Sequence, residues 1–343
     1  MAVKVRSPTE PLEVRNLAPE DLDEVVAIDT GLTGRRRRLY FQKRLDAALR
    51  QPKLHAQFAA VKDGVLAGYV LARRLTGEFG HTEAALRLEV IGVRLESRGQ
   101  SIGRRLLAGL EAWARNHGVT EIHTTATRRD DEMLRFLDRA GFRPGRNQVL
   151  DRAVHAGPIG EWEIASAAVE DARVPENDYS APATDSFQAL ARDRVEVRSL
   201  TAHDLPAILA VDRLVTGADR EQFLTDMLHE ALADSAVRVS LVARRESVTA
   251  GFLMAKTDFG DFGRTEPVAV IDTIAVHPQF VRQRVGGAML SQLFVNLQAL
   301  NVERVETMVA GDNTSLLGFF NRAGFAPGER LAFVKTIPGA VSI

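Results

Sequence analysis

Val93-Arg94-Leu95-Glu96-Ser97-Arg98-Gly99-Gln100-Ser101-Ile102-Gly103 joins an apolar run, Leu86 to Val93, to a stretch in which Ile102, Leu106, Leu107, Leu110 and Trp113 recur at helical spacing. The first run predicts a strand and the second a helix. A strand that ends in such a loop aims several backbone N–H groups, with the positive end of the helix dipole, at one spot. That spot suits phosphate, and glycine there lets a ligand reach the main chain.

Working outward, the same pattern returns. Val276 is followed at the matching distances by Val281, Arg284, Gly286 and Gly287, and the helix positions Ile102, Leu106, Leu107 and Leu110 recur as Val285, Met289, Leu290 and Leu293. Leu12 falls on Val195, 183 positions on, and the register holds without a gap through Thr33-Gly34 on Thr216-Gly217 and Gly68-Tyr69 on Gly251-Phe252. It ends with Arg139-Ala140-Gly141-Phe142 on Arg322-Ala323-Gly324-Phe325. Solenoid units run roughly 20 to 50 residues, so each copy here is a domain. Residues 156–192, with Pro158, Pro175 and Pro182 and no sustained periodicity, read as a linker carrying a short helix near Ser186 to Ala191. The expected domains are 1–155 and 193–343.

Within a copy, Glu13 to Asn16 predicts a strand, Leu22, Val25 and Val26 the apolar face of a helix, and Tyr40 to Leu49 a second helix. Phe58 to Val61, Asp63-Gly64 and Val65 to Ala72 form a hairpin signal, which Glu246-Ser247 weakens in the second copy. A strand at Glu121 to Thr125, a helix at Asp131 to Ala140 and a last strand pair complete the unit. Mixed strands with helices on both faces make an α/β or α+β layer fold.

The junction and its surroundings resemble the GNAT superfamily of N-acetyltransferases, whose Q/R-x-x-G-x-G/A loop holds the pyrophosphate of coenzyme A. Arg98 takes the first place, Gly103 the last, and Ser101 stands where the middle glycine is expected; the second copy has Val281, Arg284 and Gly286. The resemblance covers nearly the whole chain outside the linker. It implies two tandem GNAT-like domains, each a mixed, mostly antiparallel sheet flanked by helices, with acetyl-CoA as acyl donor and no metal. It further implies that Arg98, Gly99, Gln100, Ser101, Ile102, Gly103 and Arg104 bind the donor, joined by Ile91 and Val93 of the strand. In the second copy Val276, Arg282, Gln283, Arg284, Val285, Gly286 and Gly287 match them, and Asn313 resembles the asparagine that contacts the pantetheine arm. Its counterpart is Asp130.

Acetyl transfer to an amine with a pKa of roughly 10.4 needs a proton acceptor. Family members use a strand carboxylate, which places Glu89, and by repeat Asp272, as candidates. A tyrosine that donates to the leaving thiolate in many relatives is replaced by Leu137 and Phe320. Thr33, Arg37, Phe79 and Glu83, echoed by Thr216, Arg220, Phe262 and Glu266, lie toward the acceptor; Arg37 and Arg220 are the candidates for an acidic group on it. The expected function is acetyl transfer to a primary amine by direct attack, centred on the first copy. The alternative is a non-catalytic acyl-CoA sensor with a degenerate second domain.

Composition sets the outer limits. With 44 Lys and Arg against 45 Asp and Glu, no net field draws in a nucleic acid or an anionic membrane. The run Arg35-Arg36-Arg37-Arg38 reads as a solvated helix start. The absence of cysteine excludes disulfides, zinc thiolates and a cysteine nucleophile, and with no apolar leader or 18-residue apolar stretch it points to the cytoplasm. The expected partner is a small-molecule or peptide amine, and the expected assembly a monomer with an internal pseudo-dimer, or a homodimer.

Overall fold

The computed structural model describes residues 12–75, 85–155, 195–233, 239–245, 247–258 and 268–338. The expected linker and its short helix, with Phe79, Glu83, Phe262 and Glu266, lie outside them. The first copy runs β1 (Glu13–Asn16), α1 (Leu22–Thr33), α2 (Arg38–Arg50), β2 (His55–Lys62), β3 (Val65–Leu75), β4 (Ala85–Val93), α3 (Ile102–Asn116), β5 (Glu121–Thr127), α4 (Asp131–Arg139), β6 (Arg143–Pro144) and β7 (Asn147–Ala153). The second repeats this order as β8 (Glu196–Ser199), α5 (Leu205–Thr216), α6 (Glu221–Ala233), β9 (Leu241–Arg245), β10 (Val248–Asp258), β11 (Val268–Val276), α7 (Val285–Ala299), β12 (Arg304–Ala310), α8 (Thr314–Arg322), β13 (Ala326–Pro327) and β14 (Arg330–Thr336). Both hairpin turns form. Asp63 and Gly64 take positive φ in the first, and Ser247, at φ 69°, meets the same demand in the second.

Each copy has a seven-stranded mixed sheet with helices on both faces. In the first, Leu86, Leu88, Ile102, Leu106, Leu110 and Leu137 form the core on the α3 and α4 side. Val25, Phe41, Tyr69, Leu71 and Val90 form the core on the α1 and α2 side. Asp21 and Asp204 tie the first strand of each copy to the following helix. Each accepts both terminal nitrogens of an arginine, Arg15 or Arg198, and a main-chain N–H. The hydrogen bonds from Arg198 lower the carboxyl of Asp204 to about 2.

The last strands do not stay with their own copies. The sheet orders are β1-β2-β3-β4-β5-β14-β6 and β13-β7-β12-β11-β10-β9-β8. β14 pairs antiparallel with β5 from Arg330 opposite Thr127 to Thr336 opposite Glu121, and β7 pairs with β12 in the same way. Sequence reading expected a strand pair closing each unit; instead only the two-residue strand remains and the seven-residue one crosses over. The crossing segments are fastened where they pass. Arg128 N donates to Glu329 O at 2.9 Å, and at the equivalent place Gly311 N donates to Arg146 O at 3.1 Å. A Cβ on Gly311 would lie 2.7 Å from that carbonyl oxygen, so a side chain there would make the crossing main chain shift. Each exchanged strand also caps a helix of its new host. Lys335 Nζ reaches Ala140 O, and Arg152 Nη1 reaches Ala323 O, both at 2.5 Å, placing a cation at the negative end of α4 and of α8.

Candidate active site

The site begins where β4 and β5 part. They pair in parallel only from Ala85–Arg87 against Glu121–His123, after which the Thr124 hydroxyl donates to Leu88 O at 3.1 Å. A bulge in β4 accompanies the parting. Leu71 faces Val90 and Ala72 faces Leu88, so Glu89 is the extra residue, and such a residue bends its strand and increases the local twist. The second copy repeats the device with Asp272 between Ile271 and Thr273.

A cavity of about 810 Å³ occupies this gap in the first copy and reaches both faces of the sheet. On the α3 and α4 side its wall is Ser97 to Gly99, Ser101 to Arg104, Asp130, Met133 and Phe136, with Ile91 and Val93 from β4. On the α1 and α2 side it is Asp29, Leu32, Thr33, Arg37, Tyr69 and Val90. The predicted loop residues and strand residues therefore meet in one place, apart from Gln100, whose side-chain oxygen accepts from Lys62 Nζ at 2.6 Å.

The loop has the geometry expected of an anion cradle. Gly99 (φ 76°) and Ser101 (φ 62°) take left-handed conformations, which turn successive N–H groups to one side ahead of the free first turn of α3. A Cβ on Gly103 would stand 3.0 Å from the Phe136 ring, so this glycine also lets α3 approach α4. Arg98 spans the mouth to Glu132 with contacts of 2.6 and 2.7 Å, and Arg104, Arg135 and Arg139 add positive charge to the wall. The residues present thus fit a polyphosphate donor.

The second loop keeps the backbone shape with other residues. Arg282 and Arg284 hold the left-handed positions at φ 65° and 63°, at a cost of roughly 1–2 kcal/mol per non-glycine residue. Val281, 54% exposed, replaces Arg98. Val285 and Gly286 are buried in the first turn of α7, Gly287 follows them, and a Cβ on Gly286 would meet Phe319 at 2.9 Å. Gln283 Oε1 accepts from Arg245, the counterpart of the Lys62 contact. Asn313, read as a pantetheine contact, caps α8 by accepting from Leu316 N at 3.1 Å, just as Asp130 caps α4 through Met133 N.

The candidate bases are buried. Glu89 is 2% exposed, with Oε1 at 3.0 Å from Arg44 Nη1 and 3.7 Å from Arg73 Nε. It is not among the described residues that line the cavity. Asp272 pairs in the same manner with Lys256 Nζ at 3.2 Å. Leu137 and Phe320, at the tyrosine positions, are core residues.

Arg37 is not part of a solvated run. It is 8% exposed and grips Asp29 with two nitrogens, Nε lying 2.8 Å from Oδ2. Tyr69 donates from its hydroxyl to Asp29 Oδ1 at 3.2 Å. Burial, and then the Asp29 charge, raise the Tyr69 phenol well above its usual range, so it stays neutral. Arg220 grips Asp212 equivalently in the second copy and also donates to Thr273 Oγ1 at 3.3 Å. Sequence reading does not single out Asp29 or Tyr69 as site residues. The signal available was the change from Tyr69 to Phe252 in a position that otherwise repeats.

The model of the acetyltransferase (GNAT) family matches residues 22–142 and again 207–325. Among solved structures, a GCN5-related N-acetyltransferase from Sphaerobacter thermophilus aligns at 17% identity and TM-score 0.58, over 97% of this chain and 98% of its own. A tandem GNAT protein from the clavulanic acid biosynthesis pathway aligns at 16% identity and TM-score 0.60, over 95% and 99%. The GCN5-related glucosamine N-acetyltransferase region of a fungal multi-domain β-N-acetylglucosaminidase aligns at 15% identity and TM-score 0.61, over 96% of this chain and 38% of that one. No curated protein matches. Among the described residues no helix is long and apolar enough to cross a membrane, and no group of three or more His, Cys, Asp or Glu is placed to hold a metal.

Proposed function

The chain is a member of the acetyltransferase (GNAT) family, and from that premise we propose that it moves an acetyl group from acetyl-CoA to a primary amine by direct attack, with the chemistry in its first copy. The observation that carries this reading is the cavity through the β4–β5 gap. One end offers a cationic, N–H-rich loop suited to phosphates, and the other offers an enclosed polar cluster where an amine can stand. Between them, the main chain of β4 beyond Arg87 has left its pairing with β5, so N–H groups there can polarise a thioester carbonyl. We assign the second copy to support, because its loop lacks the Arg98 equivalent and its Phe252 lacks the Tyr69 hydroxyl. Incubating the protein with acetyl-CoA and a panel of amines should release free thiol and give products heavier by one acetyl group. Tight coenzyme A binding with no release for any amine would favour a sensor instead.

For Glu89 and Asp272 the surroundings support anchoring rather than proton transfer. Each is a buried bulge carboxylate set against cations from neighbouring elements, and the arrangement occurs in both copies. Removing one partner of such a buried pair costs roughly 3–5 kcal/mol. Glu89→Gln should therefore lower the melting temperature clearly, while kcat, measured where the variant is still folded, stays within about tenfold of the parent. A general base contributes roughly 10²- to 10⁴-fold. A fall of that size with an unchanged melting temperature would return Glu89 to the role of base.

A further inference from the structure

We infer that Tyr69 is the residue that receives the acceptor amine, its phenol oxygen taking an N–H of the nucleophile while Asp29 fixes the hydroxyl. This rests on the acetyl-transfer reading above and adds a group to it. The hydroxyl hydrogen is committed to Asp29 Oδ1 at 3.2 Å, and Arg37 in turn clamps that carboxylate. The phenol is left with its oxygen lone pairs as an acceptor on the cavity wall, on the side opposite the phosphate loop. Its ring cannot swing away. It stands edge-on to Phe41 at 5.5 Å and lies over Gly92, directly across the β3–β4 pairing, where a Cβ would come within 2.5 Å of a ring carbon.

Since burial keeps the phenol neutral, it can orient an amine but supplies no charge. The amine reacts in its neutral form, its ammonium proton having passed to solvent, so that its lone pair is free to attack the acetyl carbon. The nitrogen–carbon bond forms as the carbon–sulfur bond breaks. Sulfur leaves with the electron pair and takes up the proton that nitrogen loses, so an amide and a free thiol result. The repeat isolates this feature. The second copy keeps the carboxylate and arginine as Asp212 and Arg220, but has Phe252 for Tyr69 and Ala275 for Gly92. The glycine that makes room for the ring and the hydroxyl it carries thus occur together, in the copy whose loop retains the arginine.

The test is Tyr69→Phe, a change the fold already accommodates, since Phe252 is fully buried at the equivalent place. Steady-state kinetics with the best amine of the panel should show kcat/KM for the amine reduced about 10- to 100-fold through lost orientation. KM for acetyl-CoA and coenzyme A affinity by calorimetry should stay at the parent values, and the melting temperature should fall only by the few degrees that one lost hydrogen bond explains. Unchanged kcat/KM for the amine in an active parent overturns this inference and leaves the transferase reading standing. A loss shared by coenzyme A affinity overturns it too, because the residue would then serve the fold. A parent that transfers to no amine removes both.

Discussion

Cutting the chain within residues 156–192 should leave two fragments that elute as one particle and melt in a single transition. The reason is the exchange of β7 and β14. Each fragment completes the other's sheet with a seven-residue strand, and Ile337, just after β14, is 3% exposed in the first copy's core. Leu150 and Val154 are buried in the second in return. Expressed alone, neither fragment should give a cooperatively unfolding monomer, because β5 or β12 would present a bare edge beside an unfilled core. Mixing the two under refolding conditions should restore the melting temperature and turnover of the intact chain. Size-exclusion chromatography and calorimetry check this, and a first fragment that folds alone with full coenzyme A affinity would show the exchange to be dispensable.

The second large effect is expected at Gly103. Gly103→Leu would drive a side chain from the first turn of α3 into Phe136, with the Cβ already 3.0 Å from that ring. The longer leucine side chain forces the ring or the turn to move, and a displaced turn loses the common aim of its N–H groups. Two or three hydrogen bonds to a charged ligand, at roughly 1.5–3 kcal/mol each, are at stake. Coenzyme A affinity of the first copy should fall at least about 100-fold, and turnover with it. Gly286→Leu imposes the same kind of contact on Phe319 in the second copy and should leave most of the turnover intact. Initial rates on one acceptor decide the matter: equal losses from the two substitutions would show that both copies carry chemistry.

The sequence showed the repeat, the strand–loop–helix junction and the two-domain layer fold, because these rest on apolar periodicity and on glycine placement, which are local. It did not show which sheet each last strand joins. Asn147–Ala153 and Arg330–Thr336 have the same length, and nothing local in either marks which sheet it joins. The bulge was equally hidden. Period-two counting through Leu86 to Val93 has no mark for an extra residue, and Glu89 was therefore read by its distance from the loop rather than by where its side chain turns. The burial of Arg37 within its run is not legible in the sequence, because its partner, Asp29, sits on the preceding helix and meets it only after the chain reverses between α1 and α2.

The exchange also sets a timetable. As the chain leaves the ribosome, the first copy has β1 to β5 and α1 to α4 soon after residue 139, yet β5, already paired with β4, gains its second neighbour only when β14 has been made. At about 5–20 residues per second this interval lasts roughly 10 to 40 s, during which an unpaired strand edge and an incomplete core stand open. The nascent first copy therefore exposes this edge through most of translation. A ribosome stalled beyond residue 155 should yield an aggregation-prone product even though every residue of that copy has been synthesised.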